Sequence, residues 1–448
     1  MKTLLLAAIL QQTATQPPLA LVQPEPPTAA PVVITLQDAL ERAKQNDQQF
    51  RSAIADADIA KQDRVQARSS LLPSFSYSLQ YLGNSPTPNN VLPTGRFVSL
   101  DGVNMYRNWG MVRQEISPSV LMLTPLKRAQ ALEAAAQAKL EVAERGLGVT
   151  VTRNYYALVV AQRKYATVQQ AVDQARRFYE ATDQQQRAGQ IARADVIKAE
   201  IQYQQQLQAF RDAFLAIDGA RLALAVLLFP TLNENFTVVD DLAAAPVLPP
   251  FGEVRVMAVQ NNPDVRAADQ ALRAAAQDVK SARYAFFGNI MFDGVYGFEA
   301  NEFATHAVVV AQPELGPLPT LGYFVTVNVT VPVWDWGNLR SKLHQTETRE
   351  RLAHVTLTQT QRQLMSSLYT LYNQALGAKA AMDNLQHVAD LAFESLRLTA
   401  LRYQAGESTA FELVDAQNLH VQARNAVDDA QVRYRVTMAE LQTLTGKF

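Results

Sequence analysis

This chain contains itself twice. Residues from about 36 to 229 recur, at a shift of about 215 to 217, from about 251 to 448. At a shift of 215, Ala43, Gln45, Asn46, Arg51, Ala53, Ala67, Arg68 and Tyr81 meet Ala258, Gln260, Asn261, Arg266, Ala268, Ala282, Arg283 and Tyr296 without a gap. At a shift of 217, Tyr155 meets Tyr372, Gly189 meets Gly406, Ala199 meets Ala416 and Asp212 meets Asp429, so one small insertion separates the two stretches. A period this long does not describe a solenoid. It describes two copies of one large unit, at 35–229 and 251–448, joined by a linker at 230–250 that holds Pro230, Pro246, Pro249 and Pro250.

Each copy has the same expected order. A first helix of about 34 residues carries apolar groups at helical spacing: Leu36, Leu40, Ala43, Phe50, Ile54 and Ala57. It stops near Leu72-Pro73, because proline disfavours helix at the preceding residue. The period then changes from 3.6 to 2. Phe75, Tyr77, Leu79 and Tyr81 alternate with Ser74, Ser76, Ser78 and Gln80, which gives a strand with one apolar and one wet face. Its counterpart places Ile290, Phe292 and Tyr296 in the same phase, with Met291 and Val295 blurring the wet face. Long loops follow, at 84–110 and 298–322, each of about 25 residues. Return strands come next. One is clean at 323–331; the other, near 111–121, is weakly alternating and interrupted by Pro118.

A very long helix follows each return strand, at about 126–186 and 338–403, roughly 90 to 100 Å of rod apiece. Each ends at a glycine, Gly189 or Gly406, as helix C-termini favour. A last helix of about 35 residues returns from each glycine. The first and last helices of a copy, end to end, match the long one in length. Leu357, Leu364 and Leu371 recur every seven residues, with Leu368 and Ala375 between them, a coiled-coil spacing.

Composition excludes several classes. The formal net charge of -1 gives no sign of a nucleic-acid partner. The chain has no cysteine, hence no disulfide, thiolate metal site or lipidated cysteine. Lys2 followed by the apolar run Leu4 to Leu10 predicts an export signal over 1–20, and a Pro-rich extended spacer over 21–34. No run of 18 apolar residues exists, so any membrane crossing must use strands. The five histidines are scattered, and no Walker A or dinucleotide glycine loop appears, so no enzyme and no cofactor is expected.

The four strands per chain are about the length of a tilted bilayer crossing. Four strands cannot close a barrel, and an open edge cannot face lipid. Two chains would give eight strands and a filled interior; three give twelve and an open lumen. Trp334 and Trp336, just beyond the last strand, suit a membrane-interface belt.

The segments ARSSLLPSFSYSLQY (67–81), RAGQIARADVIKAE (187–200), VTVPVWDWGNLRSK (329–342) and RYQAGESTAFELVDAQ (402–417), in this order and duplication, resemble the TolC-like outer-membrane efflux proteins. The resemblance covers 35–448. It implies a mainly α fold with a β-barrel portion: a long α-helical coiled-coil barrel continuous with a 12-stranded transmembrane β-barrel shared by a homotrimer. It implies an outer-membrane exit duct for a tripartite efflux pump or type I secretion system. A periplasmic adaptor and an inner-membrane transporter would dock at the turns around Gly189 and Gly406.

The resemblance also places acidic pore-constriction residues at Glu412 and Asp415. Three apart, they share one helix face, and three chains would stack them as two rings. It assigns gating to Asp195 and Tyr403. Some relatives have an arginine two residues after the second glycine; Ser408 stands there instead, which leaves Arg193 or Arg187 as the partner. The loops would face the cell exterior, so a cysteine at Asn89 should label in intact cells and one at Gln190 should not. The competing readings are solvated carboxylates on a polar helix and, for the whole chain, a periplasmic coiled-coil structural or adaptor protein. The duplicated strands with long loops argue against the latter.

Overall fold

The structure, a computed structural model, describes residues 31–83, 104–231, 235–244, 246–300, 302–308 and 313–446. The expected leader, residues 21–30 of the spacer, and Asn89 lie outside them.

The chain runs β1 (Val32–Ile34), α1 (Leu36–Asn46), α2 (Gln48–Ser69), β2 (Ser74–Gly83), β3 (Asn104–Ile116), α3 (Pro118–Leu121), α4 (Thr124–Arg187) and α5 (Arg193–Leu228). The second copy follows: β4 (Phe236–Val238), α6 (Phe251–Asn261), α7 (Pro263–Tyr284), β5 (Asn289–Ala300), β6 (His306–Val308), β7 (Pro317–Pro319), β8 (Leu321–Thr330), α8 (Asn338–Gln404) and α9 (Ala410–Thr445). At 64 and 67 residues, α4 and α8 are rods of about 96 and 100 Å.

The single first helix expected in each copy is two helices. Asp47 leaves helical geometry and its carboxylate accepts the Phe50 N–H at 2.7 Å. Asn262 does the same for Val265 at 3.0 Å, with Pro263 in the first helical position. Each break is a helix N-cap placed at equivalent points of the repeat, and it satisfies backbone donors that a restarted helix exposes. A capping box between Thr35 and Asp38 starts α1.

The first return strand also differs from expectation. It begins at Asn104 rather than near Met111 and ends before Ser117, with Pro118 opening α3. Its polar start reads as loop, yet those side chains have cross-strand partners: Asn104 with Tyr81, and Arg107 with Glu299. In the second copy the loop is shorter than expected, because β5 runs to Ala300 and β6 pairs with β7 inside it.

In the first copy, α2 and α5 lie along α4; in the second, α7 and α9 lie along α8. α4 also packs on α7 and α9, so the helices pack side by side in the order α2/α5, α4, α7/α9, α8. Small residues permit the close approach: Ala375, Ala378, Ala389 and Ala392 of α8 are buried, beside Leu364 and Leu368 of the expected seven-residue seam. The largest apolar core among the described residues gathers around α1, α4 and α5. Ile34, Phe50, Tyr155, Tyr156, Leu158, Leu224, Leu228, Phe236 and Leu242 are buried together there. β1 and β4 form a small parallel pair against it. The Tyr155 hydroxyl lies 2.7 Å from Val239 O and accepts the Val239 N–H at 3.0 Å. Burial, with the Asp241 carboxylate nearby, pushes the Tyr155 pKa up to about 12.

The four long strands form one antiparallel sheet in the order β2-β3-β5-β8. Its edges, β2 and β8, adjoin in sequence the edge helices α2 and α8.

Candidate functional site

Register fixes the chemistry of the two sheet faces. Phe75 pairs with Val112, Val112 with Gly294, and Gly294 with Val325. Residues in this phase therefore share one face: Phe75, Tyr77, Leu79 and Tyr81 of β2, Ile290, Phe292 and Tyr296 of β5, and Tyr323, Val325, Val327 and Val329 of β8. They are apolar and open to the surroundings; Tyr323 is 80% exposed and Phe75 74%. In water such a patch is a liability, and in lipid it is the expected outer wall.

The other face is built in rows. Gln80, Arg107 and Glu299 form the first, with Arg107 to Glu299 at 2.9 Å. Next come Ser78, Trp109, Gly297 and Gly322, then Ser76, Met111, Val295 and Phe324. Ser74, Arg113, Asp293 and Thr326 follow, with Arg113 to Asp293 at 2.6 Å. Glu115 opposite Met291 ends the series. Sequence reading missed both ion pairs. The signal was present, since Arg107, Arg113, Asp293 and Glu299 all fall on odd positions, but only register shows that they meet.

Trp334 and Trp336 follow β8 directly. They are 75% and 89% exposed and pack edge to face at 5.6 Å between ring centroids.

The opposite end of the molecule holds the two glycine turns. Gly189 and Gly406 have φ of 75° and 78°, a conformation in which a side chain is strained. At the first, Gln190 N–H donates to Gln185 O and Gly189 N–H to Gln186 O, both at 2.9 Å. Glu407 and Gly406 repeat this with Arg402 and Tyr403 at 2.8 and 3.1 Å. These paired bonds close each long helix and turn the chain back sharply.

Beyond the second turn, Thr409 caps α9 by accepting the Glu412 N–H. Ser408 donates its hydroxyl to Glu412 Oε2 at 2.6 Å. Glu412 and Asp415 are both exposed, while Leu413 and Ala416 between and beside them are buried. The two carboxylates thus share the outward face of α9. Tyr403 packs its ring against Phe178 at 5.6 Å, next to buried Ala199 and Leu413. Burial raises its pKa, and the Asp195 carboxylate adds to that rise. Asp195 also lies 3.8 Å from Lys198. Among the described residues, Arg193 joins neither Asp195 nor Tyr403 by hydrogen bond or ion pair, and Arg187 pairs with Asp183 at 2.7 Å.

A further charged group sits between sheet and tip. Arg163 of α4 donates to both Asp240 oxygens, at 2.6 and 2.7 Å, and to Asp428 Oδ1 of α9 at 2.8 Å. It therefore ties the segment between the copies to both. The Asp240 bonds, against the cost of burial, hold the Arg163 pKa above its ordinary value. Burial alone would raise Asp240, but its bonds to Arg163 and to the Leu242 N–H outweigh this and lower its pKa.

The family description "Outer membrane efflux protein" matches residues 39–228 and 254–447, one match per copy. Outer membrane protein OprJ of Pseudomonas aeruginosa is 25% identical over 303 residues, which span 66% of this chain and 56% of that relative. Outer membrane protein TolC of Vibrio cholerae is 22% identical over 92% of this chain and 90% of its own length. The solved structure of the Campylobacter jejuni CmeC outer membrane channel superimposes with a TM-score of 0.76 at 18% identity, covering 92% of this chain and 85% of that one.

Proposed function

The chain belongs to the outer membrane efflux protein family, and on that premise we propose that three copies close into one exit duct in the bacterial outer membrane. One observation carries this. Among the described residues, the sheet has free edges at β2 and β8, and the helical layer has matching free edges at α2/α5 and α8. An edge of each kind must meet its complement on a neighbour, which is head-to-tail contact and closes as a ring. Exposed Leu352 and Val355 on α8, with Ile59 and Val65 on α2, supply apolar side chains to that seam. The apolar sheet face then meets outer-membrane lipid, Trp334 and Trp336 sit at its interface, and the rows of charged and polar groups line the lumen.

The duct serves a tripartite efflux pump or a type I secretion system. A periplasmic adaptor and an inner-membrane transporter dock around Gly189 and Gly406. Glu412 and Asp415 form the constriction, and Asp195, Tyr403 and Arg193 act in gating. The protein carries cargo; it is not an enzyme.

Orientation is tested by labelling. A single cysteine at Glu302, in the β5–β8 connection, should react with an impermeant maleimide on intact cells. A cysteine at Gln190 should react only after the outer membrane is permeabilised. The reverse pattern would refute the arrangement.

A further inference from the structure

The long strands join the helices at four points per chain, 70–73, 117–123, 285–288 and 331–337. Register puts all four at one end of the sheet: Ser74 lies opposite Arg113, Ile116 opposite Ile290 and Asn289 opposite Thr330. Each junction exposes large apolar side chains. Leu72 is 65% exposed and Phe287, its equivalent in the repeat, 70%. Leu121, Met122 and Leu123 are exposed just before α4, as Trp334 and Trp336 are just before α8. The backbone is left-handed at both places, with φ of 57° at Leu123 and 56° at Trp336. Residues with a side chain avoid that conformation, and glycine would relieve it. Both copies therefore hold a strained apolar residue at the foot of the sheet, which costs free energy unless apolar surroundings receive the side chain.

Unpaired cations border this apolar collar on the helix side. Within two turns of the junctions, at 63–69, 124–130, 278–284 and 338–344, the helices carry eight Lys and Arg against two Asp. Arg64, Arg128 and Arg283 are ion-paired, with Glu133, Asp278 and Glu347. Arg68, Lys127, Lys280, Arg340 and Lys342 are exposed and join no ion pair among the described residues. Asp63 is the one acid of these stretches in the same situation. Asp335, between the two tryptophans, is taken up by the Gly337 and Leu339 N–H groups at 3.0 and 2.6 Å. An apolar surface edged by free cations matches a lipid that carries a phosphate at the end of its acyl chains.

We propose that the four junctions form a collar that binds anionic phospholipid of the periplasmic leaflet. This rests on the channel reading above and extends it from two tryptophans to a site with a headgroup preference. The acyl chains meet the apolar side chains, and the phosphates meet the five unpaired cations.

Trp109→Phe leaves Trp334 and Trp336 as the only indoles, so they report on the lipid beside the collar. The full protein is placed in vesicles of equal parts phosphatidylglycerol and phosphatidylcholine, with one lipid or the other brominated on its acyl chains. Quenching should show an association about tenfold stronger for phosphatidylglycerol. Salt at about 0.5 M should bring the two lipids close to equal, because exposed charges are screened. Changing Arg68, Lys127, Lys280, Arg340 and Lys342 together to Gln should do the same at low salt, and helical circular dichroism should stay unchanged because none of the five is buried. Equal quenching by both lipids at low salt, or a preference untouched by the five substitutions, would overturn phosphate recognition while leaving a membrane-inserted duct. Quenching by neither lipid would place Trp334 and Trp336 outside the bilayer and overturn the membrane reading itself.

Discussion

Arg163→Ala is expected to lower stability more than any other single side-chain truncation outside the apolar core. Asp428 is 1% exposed, and Arg163 is the only cation within ion-pair distance of it among the described residues. Its other oxygen, Oδ2, has no hydrogen-bond partner. Removing the guanidinium leaves a buried, uncompensated carboxylate, a change that costs about 3–5 kcal/mol. Asp240 adds less, because it is 42% exposed and solvent screens it. Thermal unfolding followed by circular dichroism should show the loss, and Arg163→Ala combined with Asp428→Leu should recover most of it. A double variant as unstable as the single would mean that the damage comes from lost packing rather than from the stranded charge.

The same contact predicts a pH dependence. The Asp240 pKa is lower in the fold than in the unfolded chain. Its contribution is therefore complete above the ordinary aspartate range and disappears only as pH falls through the lowered value. Asp240→Asn should remove this acidic component of unfolding and lower stability at neutral pH by the same modest amount.

The second large effect concerns the acidic pair at the tip. Glu412 and Asp415 lie one turn apart on the exposed face of α9, just past the turn that closes α8. In a threefold ring they place six carboxylates in two stacked rings about one helical turn apart, which concentrates cations and excludes anions. Wild-type protein in planar bilayers should be cation-selective and blocked by multivalent cations added from the tip side. Glu412→Ala with Asp415→Ala should raise the blocking concentration by at least tenfold, since two charges per chain leave the throat. It should not alter assembly, because neither side chain is buried against a helix. Selectivity and block that survive the double change would make these carboxylates ordinary solvated groups.

What was legible in the sequence was what repeats or alternates. The rods, their glycine turns and the clean strand at 323–331 follow from local spacing, and the structure has them within a few residues. The break at Asn262-Pro263 is absent from the single helix expected there, although a capping residue before a proline marks it, and Asp47 follows from it by the repeat. Strand β3 was misjudged at its start because Asn104, Arg107 and Asn108 look like loop until β2 and β5 supply their partners. β1 and β4 are three residues each and pair across about two hundred positions, so no periodicity announces them. Arg163 reaches partners 77 and 265 residues away, and nothing local marks it. The apolar rows at Trp109, Met111, Val295 and Phe324 showed in the sequence only as a blur at Val295. Their meaning depends on which residue of β3 and of β8 stands opposite.

The central claim is that one chain supplies a third of a closed wall. Native mass spectrometry of the detergent-solubilised protein tests it most directly. A single species of three times the mass of the mature chain is expected, stable on dilution, with no populated dimer because two copies leave two sheet edges open. A monodisperse particle of one chain mass, retaining its helical circular dichroism, would contradict it.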